Sequence, residues 1–174
     1  TLTNENARTI HNNQLKDVKY NLNSGMVGFT KDSYLSGGTN SLVFNGGMLN
    51  VANGAVSDIS LKDLTLSANS NIAVDADLAA GKMDTLSAEN YNISNDANLN
   101  VSSINLLSDA TKDNTVIKFV NDDTLKSHIT TTVSNVAYSP IYKYGVGYDA
   151  TEGSFEFTRG SASDYNNVNP AVMV

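Results

Sequence analysis

Two stretches of the chain overlay without a gap when one is slid 27 positions along the other. Leu64 falls on Tyr91, Leu66 on Ile93, Ile72 on Leu99 and Val74 on Val101, with Ser67 on Ser94 and Asn71 on Asn98. This repeat constrains the fold more than any other feature. Each L-x-L unit is too short to bury an apolar face alone, so copies must stack on one another. Upstream the spacing shortens: Leu42-x-Phe44 precedes Leu64-x-Leu66 by 22 positions, and Leu49-x-Val51 precedes Ile72-x-Val74 by 23. A stack tolerates such variation when it falls in the corners. Ala79-Ala80-Gly81-Lys82 reads as the loop that lengthens the 27-residue unit.

The punctuation between the apolar units supports strands over helices. Asn is about one residue in seven. Asn45-Gly46-Gly47, Asn53-Gly54 and Gly37-Gly38 separate runs rich in Val, Ile, Leu and Phe, and such pairs are turn signals between strands. The expected fold class is therefore all-β. The architecture expected is a right-handed parallel β-helix, or solenoid, closed by a C-terminal antiparallel β-hairpin cap. A β-sandwich, the rival, needs longer strands.

Four stretches are expected along the chain. Residues 1–35 are an irregular N-terminal segment or a first coil. Within them Val18-x-Tyr20-x-Leu22 and Met26 to Phe29 read as strands, and a weak amphipathic helix fits Ile10 to Val18. Residues 36–125 are the solenoid coils, ending in strands at Ile104-x-Leu106-Leu107 and Val116 to Val120. About five coils at the spacing of neighbouring strands give a rod on the order of 20–25 Å long. Leu66 over Ile93 and Val74 over Val101 would be core ladders, and Asn71 over Asn98 an amide ladder. Residues 126–160 are the cap, where Tyr142-x-Tyr144-x-Val146-x-Tyr148 and Phe155-x-Phe157 alternate around a turn at Asp149–Gly153. A cap is needed because the last layer of a stack exposes unpaired backbone groups. Residues 161–174 read as a linker to a missing downstream region. The chain opens at Thr1 without Met and closes on the apolar stub Asn169-Pro170-Ala171-Val172-Met173-Val174, so it reads as a segment of something longer.

Three segments carry a family resemblance. They are Ile104-Asn105-Leu106-Leu107-Ser108-Asp109, Val116-Ile117-Lys118-Phe119, and the hairpin from Ile141-Tyr142-Lys143-Tyr144 to Gly153-Ser154-Phe155-Glu156-Phe157. Together with the Asn/Ser/Gly-rich coils before them, they resemble the end of the passenger domain of type V autotransporters. The resemblance spans Ser36 to Arg159. It implies a parallel β-helix whose terminal coils and cap act as a folding nucleus, or autochaperone. It also implies a location outside a Gram-negative cell, or on its surface, after export through the periplasm and outer membrane. The partners implied are the rest of the passenger and a downstream outer-membrane barrel. The related reading is a repetitive adhesin-like surface protein.

Composition excludes several function classes. The formal net charge is −7 and the eleven Lys and Arg are scattered, so a phosphate backbone would be repelled and no nucleic-acid partner is expected. Absence of Cys excludes disulfides, thiolate metal sites and Cys nucleophiles. No apolar run approaches the length of a membrane-spanning helix, so direct membrane insertion of this segment is not expected.

Reactive constellations are sparse. His11 and His128 stand far apart with no H-E-x-x-H spacing. No G-x-S-x-G elbow accompanies them. Gly145-Val146-Gly147 lacks the rest of a nucleotide loop and sits in a strand pattern. The acidic pairs Asp75/Asp77 and Asp122/Asp123 have the residue type of a glycosidase, yet turn-forming Asp is the simpler reading. Asn92-Ile93-Ser94 and Asn100-Val101-Ser102 match glycosylation acceptors that would be idle in a bacterial protein. Tyr142, Tyr144 and Tyr148 share one face, which either packs on the last coil or stacks on sugar.

The expectation is no catalytic, cofactor-binding or metal residue, no cofactor and no enzymatic activity. The chain reads as a structural or adhesive passenger segment, a rigid stalk with a C-terminal folding nucleus. A host-surface or glycan ligand is the partner kept in view. The alternatives are a glycan-binding β-solenoid module and, behind it, a β-helical polysaccharide-degrading enzyme.

Overall fold

The computed structural model describes residues 1–161. Most of its strands fall alternately into two parallel sheets. The first holds β1 (Leu2–Asn4), β3 (Lys19–Leu22), β5 (Ser41–Asn45), β7 (Asp58–Ala68) and β10 (Thr85–Ile93), side by side in that order. The second holds β2 (Ala7–His11), β4 (Gly25–Phe29), β6 (Met48–Asn50), β8 (Ser70–Asp77), β11 (Leu99–Ser108) and β13 (Ile129–Thr131). The short β9 (Lys82–Met83) folds back antiparallel on the end of β8.

Corners between the sheets are brief. Asn23 and Ser24 separate β3 from β4, and Gly46 and Gly47 separate β5 from β6. Gly25 is at φ +79°, and a Cβ there would lie 2.2 Å from the Ala7 carbonyl oxygen. Only glycine lets these two layers approach so closely.

Because side chains alternate along a strand, a fixed register produces rows. Leu2, Tyr20, Leu42, Leu64 and Tyr91 are successive partners across the first sheet, and so are Asn4, Leu22, Phe44, Leu66 and Ile93. In the second sheet the row is Thr9, Val27, Leu49, Ile72, Val101 and Thr131. Tyr20, Leu22, Val27, Leu42, Phe44, Leu49, Leu64, Leu66, Ile72 and Val101 are all buried and belong to one continuous core. The ladder of Leu66 over Ile93 is present, as are the 22- and 23-residue steps upstream.

The second half of the 27-residue overlay is corrected. Leu99 pairs with Ser70, Val101 with Ile72, and Ile104 with Val74. Asn71 meets Asn100, whose Nδ2 donates to its Oδ1 at 3.1 Å. Asn98 instead donates its backbone N–H to the Asn69 side-chain oxygen at 2.9 Å. The reason lies in the corners. Asn69 alone separates β7 from β8, whereas Ser94 to Asn98 separate β10 from β11. The longer corner offsets the following strand by two residues beyond the overlay as far as Val101, and a β-bulge between Val101 and Ser103 adds one more. A shift of two leaves every side chain on the same face, so the apolar pattern does not register it.

Two other expectations change, while the strands expected at Val18 to Leu22 and Met26 to Phe29 are present as β3 and β4. Ile10 to Val18 is no helix: β2 ends at His11, and Asp17 takes φ 56°. Residues 1–35 contribute four strands to the two parallel sheets. Val116 to Val120 is not a further stacked strand. It contributes β12 (Asn114–Lys118) to a separate antiparallel sheet, while Ile129–Thr131 continues the second parallel sheet beside β11.

That third sheet has the order β12, β16 (Ser154–Ser161), β15 (Tyr142–Asp149), β14 (Asn135–Val136). The hairpin of β15 and β16 is the expected one, with Tyr144 opposite Arg159 and Tyr148 opposite Phe155. The face carrying Tyr144, Phe155, Phe157 and Ile117 joins the core with Phe119 and Leu125. Burying each Phe side chain stabilises by about 1.5–3 kcal/mol. A one-turn helix, α1 (Asp123–Lys126), starts on Asp122, which accepts from the N–H groups of Thr124 and Leu125. The turn between β15 and β16 docks on the segment after β12, where Phe119 and Val120 both donate to the Gly153 carbonyl. The linker expected at 161–174 lies, from residue 162 on, outside the described residues.

Candidate functional site

The densest polar cluster is buried where loops cross from one layer to the next. Asp32 is in a 3-10 turn after β4, Asn53 and Ser57 follow β6, Asp75 is in β8, Asp84 precedes β10, and Asn105 is in β11. Asp75 is fully buried, and Asp84 and Asp32 are only 1% and 5% exposed. Asp75 Oδ2 accepts the N–H groups of Asn53 and Gly54, each at 2.8 Å. Its Oδ1 accepts Asn105 Nδ2 at 2.7 Å. Asp32 accepts Asn53 Nδ2 at 2.5 Å and Ser57 Oγ at 3.0 Å. Asp84 accepts the N–H groups of Ser57 at 3.0 Å and Asp75 at 2.8 Å.

Burial, then hydrogen bonding to Asp32 and repulsion by it, push the Asp84 carboxyl up to about 9, against the opposing pull of the two N–H groups. Asp84 therefore carries its proton at neutral pH. These groups are spent on one another and on backbone donors. They can cross-link segments far apart in sequence, and Asp32, Asn53 and Ser57 also border a groove of about 320 Å³ together with Lys31 and Ala55.

The acidic pairs named from the sequence take separate duties. Asp75 is a buried strand residue in this cluster and not a turn former. Asp77 does cap a turn, accepting from Ala80 N–H at 3.0 Å and from Ser108 Oγ at 2.6 Å, and the Ser108 bond leads in lowering its pKa. Asp122 caps α1, and exposed Asp123 pairs with Lys126 at 2.7 Å. Among the described residues no group of three or more His, Asp or Glu is arranged to hold a metal ion.

The two histidines are also occupied. His11 shares a 2.5 Å hydrogen bond with the Tyr20 hydroxyl and stacks on Phe29, and burial lowers its pKa. His128 Nδ1 lies 2.7 Å from the Ala97 carbonyl oxygen. The tyrosine face is turned inward. Tyr144 is fully buried, donates to Asp109 Oδ1 at 2.8 Å and accepts from Ala110 N–H at 2.8 Å. Its phenol is pushed up to about 12, first by burial and then by Asp109. Tyr148 donates to the Lys126 carbonyl at 2.5 Å, and Arg159 covers the Tyr142 ring at 4.8 Å. An exposed sugar platform on these rings is thereby corrected. Gly145-Val146-Gly147 is part of β15.

Further grooves lie over the sheets and beside β12. One of about 310 Å³ crosses the first sheet over Lys19, Val43, Asp63, Asn90 and Tyr91. There Asp63 accepts from Ser41 Oγ and Asn90 Nδ2, each at 3.0 Å. A second, about 220 Å³, lies over Asn71, Asn98, Asn100 and Thr130 on the second sheet, with Thr130 Oγ1 donating to Asn100 Oδ1 at 3.1 Å. A third, about 480 Å³, separates β12 from the β9 region.

Sequence reasoning does not single out Asp32 or Asp84, and it names Asn53 only as a turn residue and Asn105 only within a strand. Their partners come from different loops, so no local spacing announces them. No family model matches the chain, and no curated protein matches it.

Proposed function

We propose that this chain is a structural segment: a right-handed parallel β-solenoid forming a rigid stalk, ended by an antiparallel cap that serves as its folding nucleus. The observation that carries the reading is the pair of register rows, Leu2 to Tyr91 in one sheet and Thr9 to Thr131 in the other, running into a third sheet of antiparallel strands. Parallel layers with only nearest-neighbour contacts suit a spacer, because length grows by adding layers without redesigning a core. The antiparallel sheet supplies what such a stack needs at its end, a covered core.

The inward tyrosines and the mutually spent carboxylates favour a scaffold over catalysis. With the resemblance to autotransporter passengers, the location that fits is the outside of a Gram-negative cell. The partners are then further passenger sequence and a downstream outer-membrane barrel.

Removing 142–161 tests the reading. The truncated chain should fail to refold from denaturant, while the 174-residue chain unfolds in one cooperative transition. A truncated chain that refolds with unchanged cooperativity removes the folding-nucleus role.

A further inference from the structure

We propose that Asn45 is a site of spontaneous covalent modification, its side-chain amide closing on the Gly46 nitrogen and hydrolysing to a carboxylate, while the fold holds the same dipeptide at Asn53-Gly54 unreactive. The inference goes beyond the stalk reading and does not rest on it.

Asparagine is thermolabile, and the step that makes it so is intramolecular. The backbone nitrogen of the next residue gives its proton to water and attacks the side-chain carbonyl carbon. The C–N bond of the side-chain amide breaks, and ammonia leaves with a proton taken from water. Water then opens the five-membered imide at either carbonyl. The product is aspartate, or isoaspartate with the chain routed through the side chain. Nothing is oxidised or reduced: amide and water become acid and ammonia. Glycine is the most permissive following residue, because it has no Cβ to block the approach and its backbone turns freely. The sequence has two such pairs, Asn45-Gly46 and Asn53-Gly54.

The two corners treat this chemistry in opposite ways. Asn45 and Gly46 are both exposed. The regular pairing of β5 with β7 is broken between Phe44 and Asn45, so the ladder holds the backbone less firmly there. Asn45 Nδ2 donates to Asn23 Oδ1 at 3.3 Å, a long bond on the exposed surface. The Gly46 N–H donates to Ser70 Oγ at 3.0 Å. A hydroxyl can turn and donate instead, so it can follow the nitrogen as its proton leaves.

Asn53 is half-buried and held at every group the reaction needs. Its Nδ2 donates to the Phe29 carbonyl at 3.1 Å and to Asp32 Oδ1 at 2.5 Å. The Gly54 N–H, the nucleophile here, donates to Oδ2 of the fully buried Asp75 at 2.8 Å, beside the N–H of Asn53 itself. Removing the Gly54 proton would set a negative nitrogen against the oxygen of a buried carboxyl, which disfavours the charged form. Attack would also break the bonds to Phe29 and Asp32.

The product at position 45 fits its corner poorly. A carboxylate cannot donate to Asn23 Oδ1. Isoaspartate adds a backbone atom where two corners touch: a Cβ on Gly46 would lie 2.8 Å from the Asn23 carbonyl oxygen, and one on Gly47 3.3 Å from Leu22 Cβ.

The test holds the 174-residue chain for weeks in warm, mildly alkaline buffer. Peptide mapping by mass spectrometry follows both sites, and enzymatic methylation counts isoaspartate. The proposal expects conversion at Asn45 about tenfold or more faster than at Asn53, the factor that one buried hydrogen bond to a carboxyl corresponds to. In urea the two rates should converge, because the fold no longer separates the sites. Asn45→Gln, an exposed change, should abolish conversion at that position and leave the thermal midpoint where it was. The converted chain, separated by ion exchange, should melt at a lower temperature. Equal rates in the folded chain, faster conversion at Asn53, or an Asn45 that stays intact while the denatured chain converts overturns the proposal. A rate difference that persists in urea would assign it to the sequence and overturn the role of the fold. Unchanged melting of the converted chain would overturn the poor fit at the corner.

Discussion

The Asp84 carboxyl hydrogen-bonds the Asp32 carboxylate at a place where both residues are at least 95% buried. Two acidic groups so placed cannot both ionise cheaply, so one proton is held between them. The Asp84 pKa is raised to about 9 in the folded chain from an ordinary 3.8. Between those limits the folded state holds a proton that the unfolded state has released. Stability therefore falls as pH rises through this window, by at most about 1.4 kcal/mol per pH unit, and levels off above the folded pKa. Urea unfolding from pH 5 to pH 10 checks this. Asp84→Asn should flatten the slope. A slope unchanged in that variant would assign it to other groups.

Asp84→Ala has a different consequence. It leaves the Ser57 and Asp75 N–H groups without their acceptor, at a cost of about 2–4 kcal/mol. A chemical denaturation midpoint that moves no more than for an exposed-site alanine would contradict the cross-linking role of the cluster.

Gly153 is at φ +68°, and a Cβ there would lie 2.1 Å from the Val120 carbonyl oxygen. Gly153→Ala must strain the turn and lift it from Phe119, so a loss of about 2–4 kcal/mol is expected. Gly147, also in the hairpin, has nothing within 4 Å of its would-be Cβ. Gly147→Ala should change stability by no more than about 0.5 kcal/mol. Thermal melts of the two variants should separate clearly.

Tyr144→Phe keeps the ring in the core but removes the hydroxyl that joins Asp109 to the Ala110 N–H. A loss of about 1–3 kcal/mol is expected, because a buried donor loses its acceptor. Equal stability of the variant would show that water replaces the hydroxyl there.

How far the fold was legible depends on what period-two patterning encodes. Leu64 beside Tyr91 and Leu66 beside Ile93 were readable because apolar residues recur on one face with matching spacing. Val101 beside Ile72 was not, since a two-residue slip preserves the face and depends on corner length. Val116-Ile117-Lys118 reads as a strand wherever it pairs, and only the tertiary arrangement sends it to β16. The C-terminal hairpin was legible through Tyr144, Phe155 and Phe157. Asp32 and Asp84 were not, because they meet across 52 residues of sequence with no motif between them.

The stacked rows are tested most directly by paired cysteines, since the chain has none of its own. Thr65 and Asn92 are register partners on neighbouring parallel strands, as are Asn71 and Asn100. Neighbouring strands lie about 5 Å apart, within disulfide reach. Thr65→Cys/Asn92→Cys and Asn71→Cys/Asn100→Cys should each cross-link under mild oxidation in the native chain, while Asn71→Cys/Asn98→Cys, two positions out of register, should cross-link far more slowly. Failure of both in-register pairs, or faster closure of the out-of-register pair, would contradict the stack.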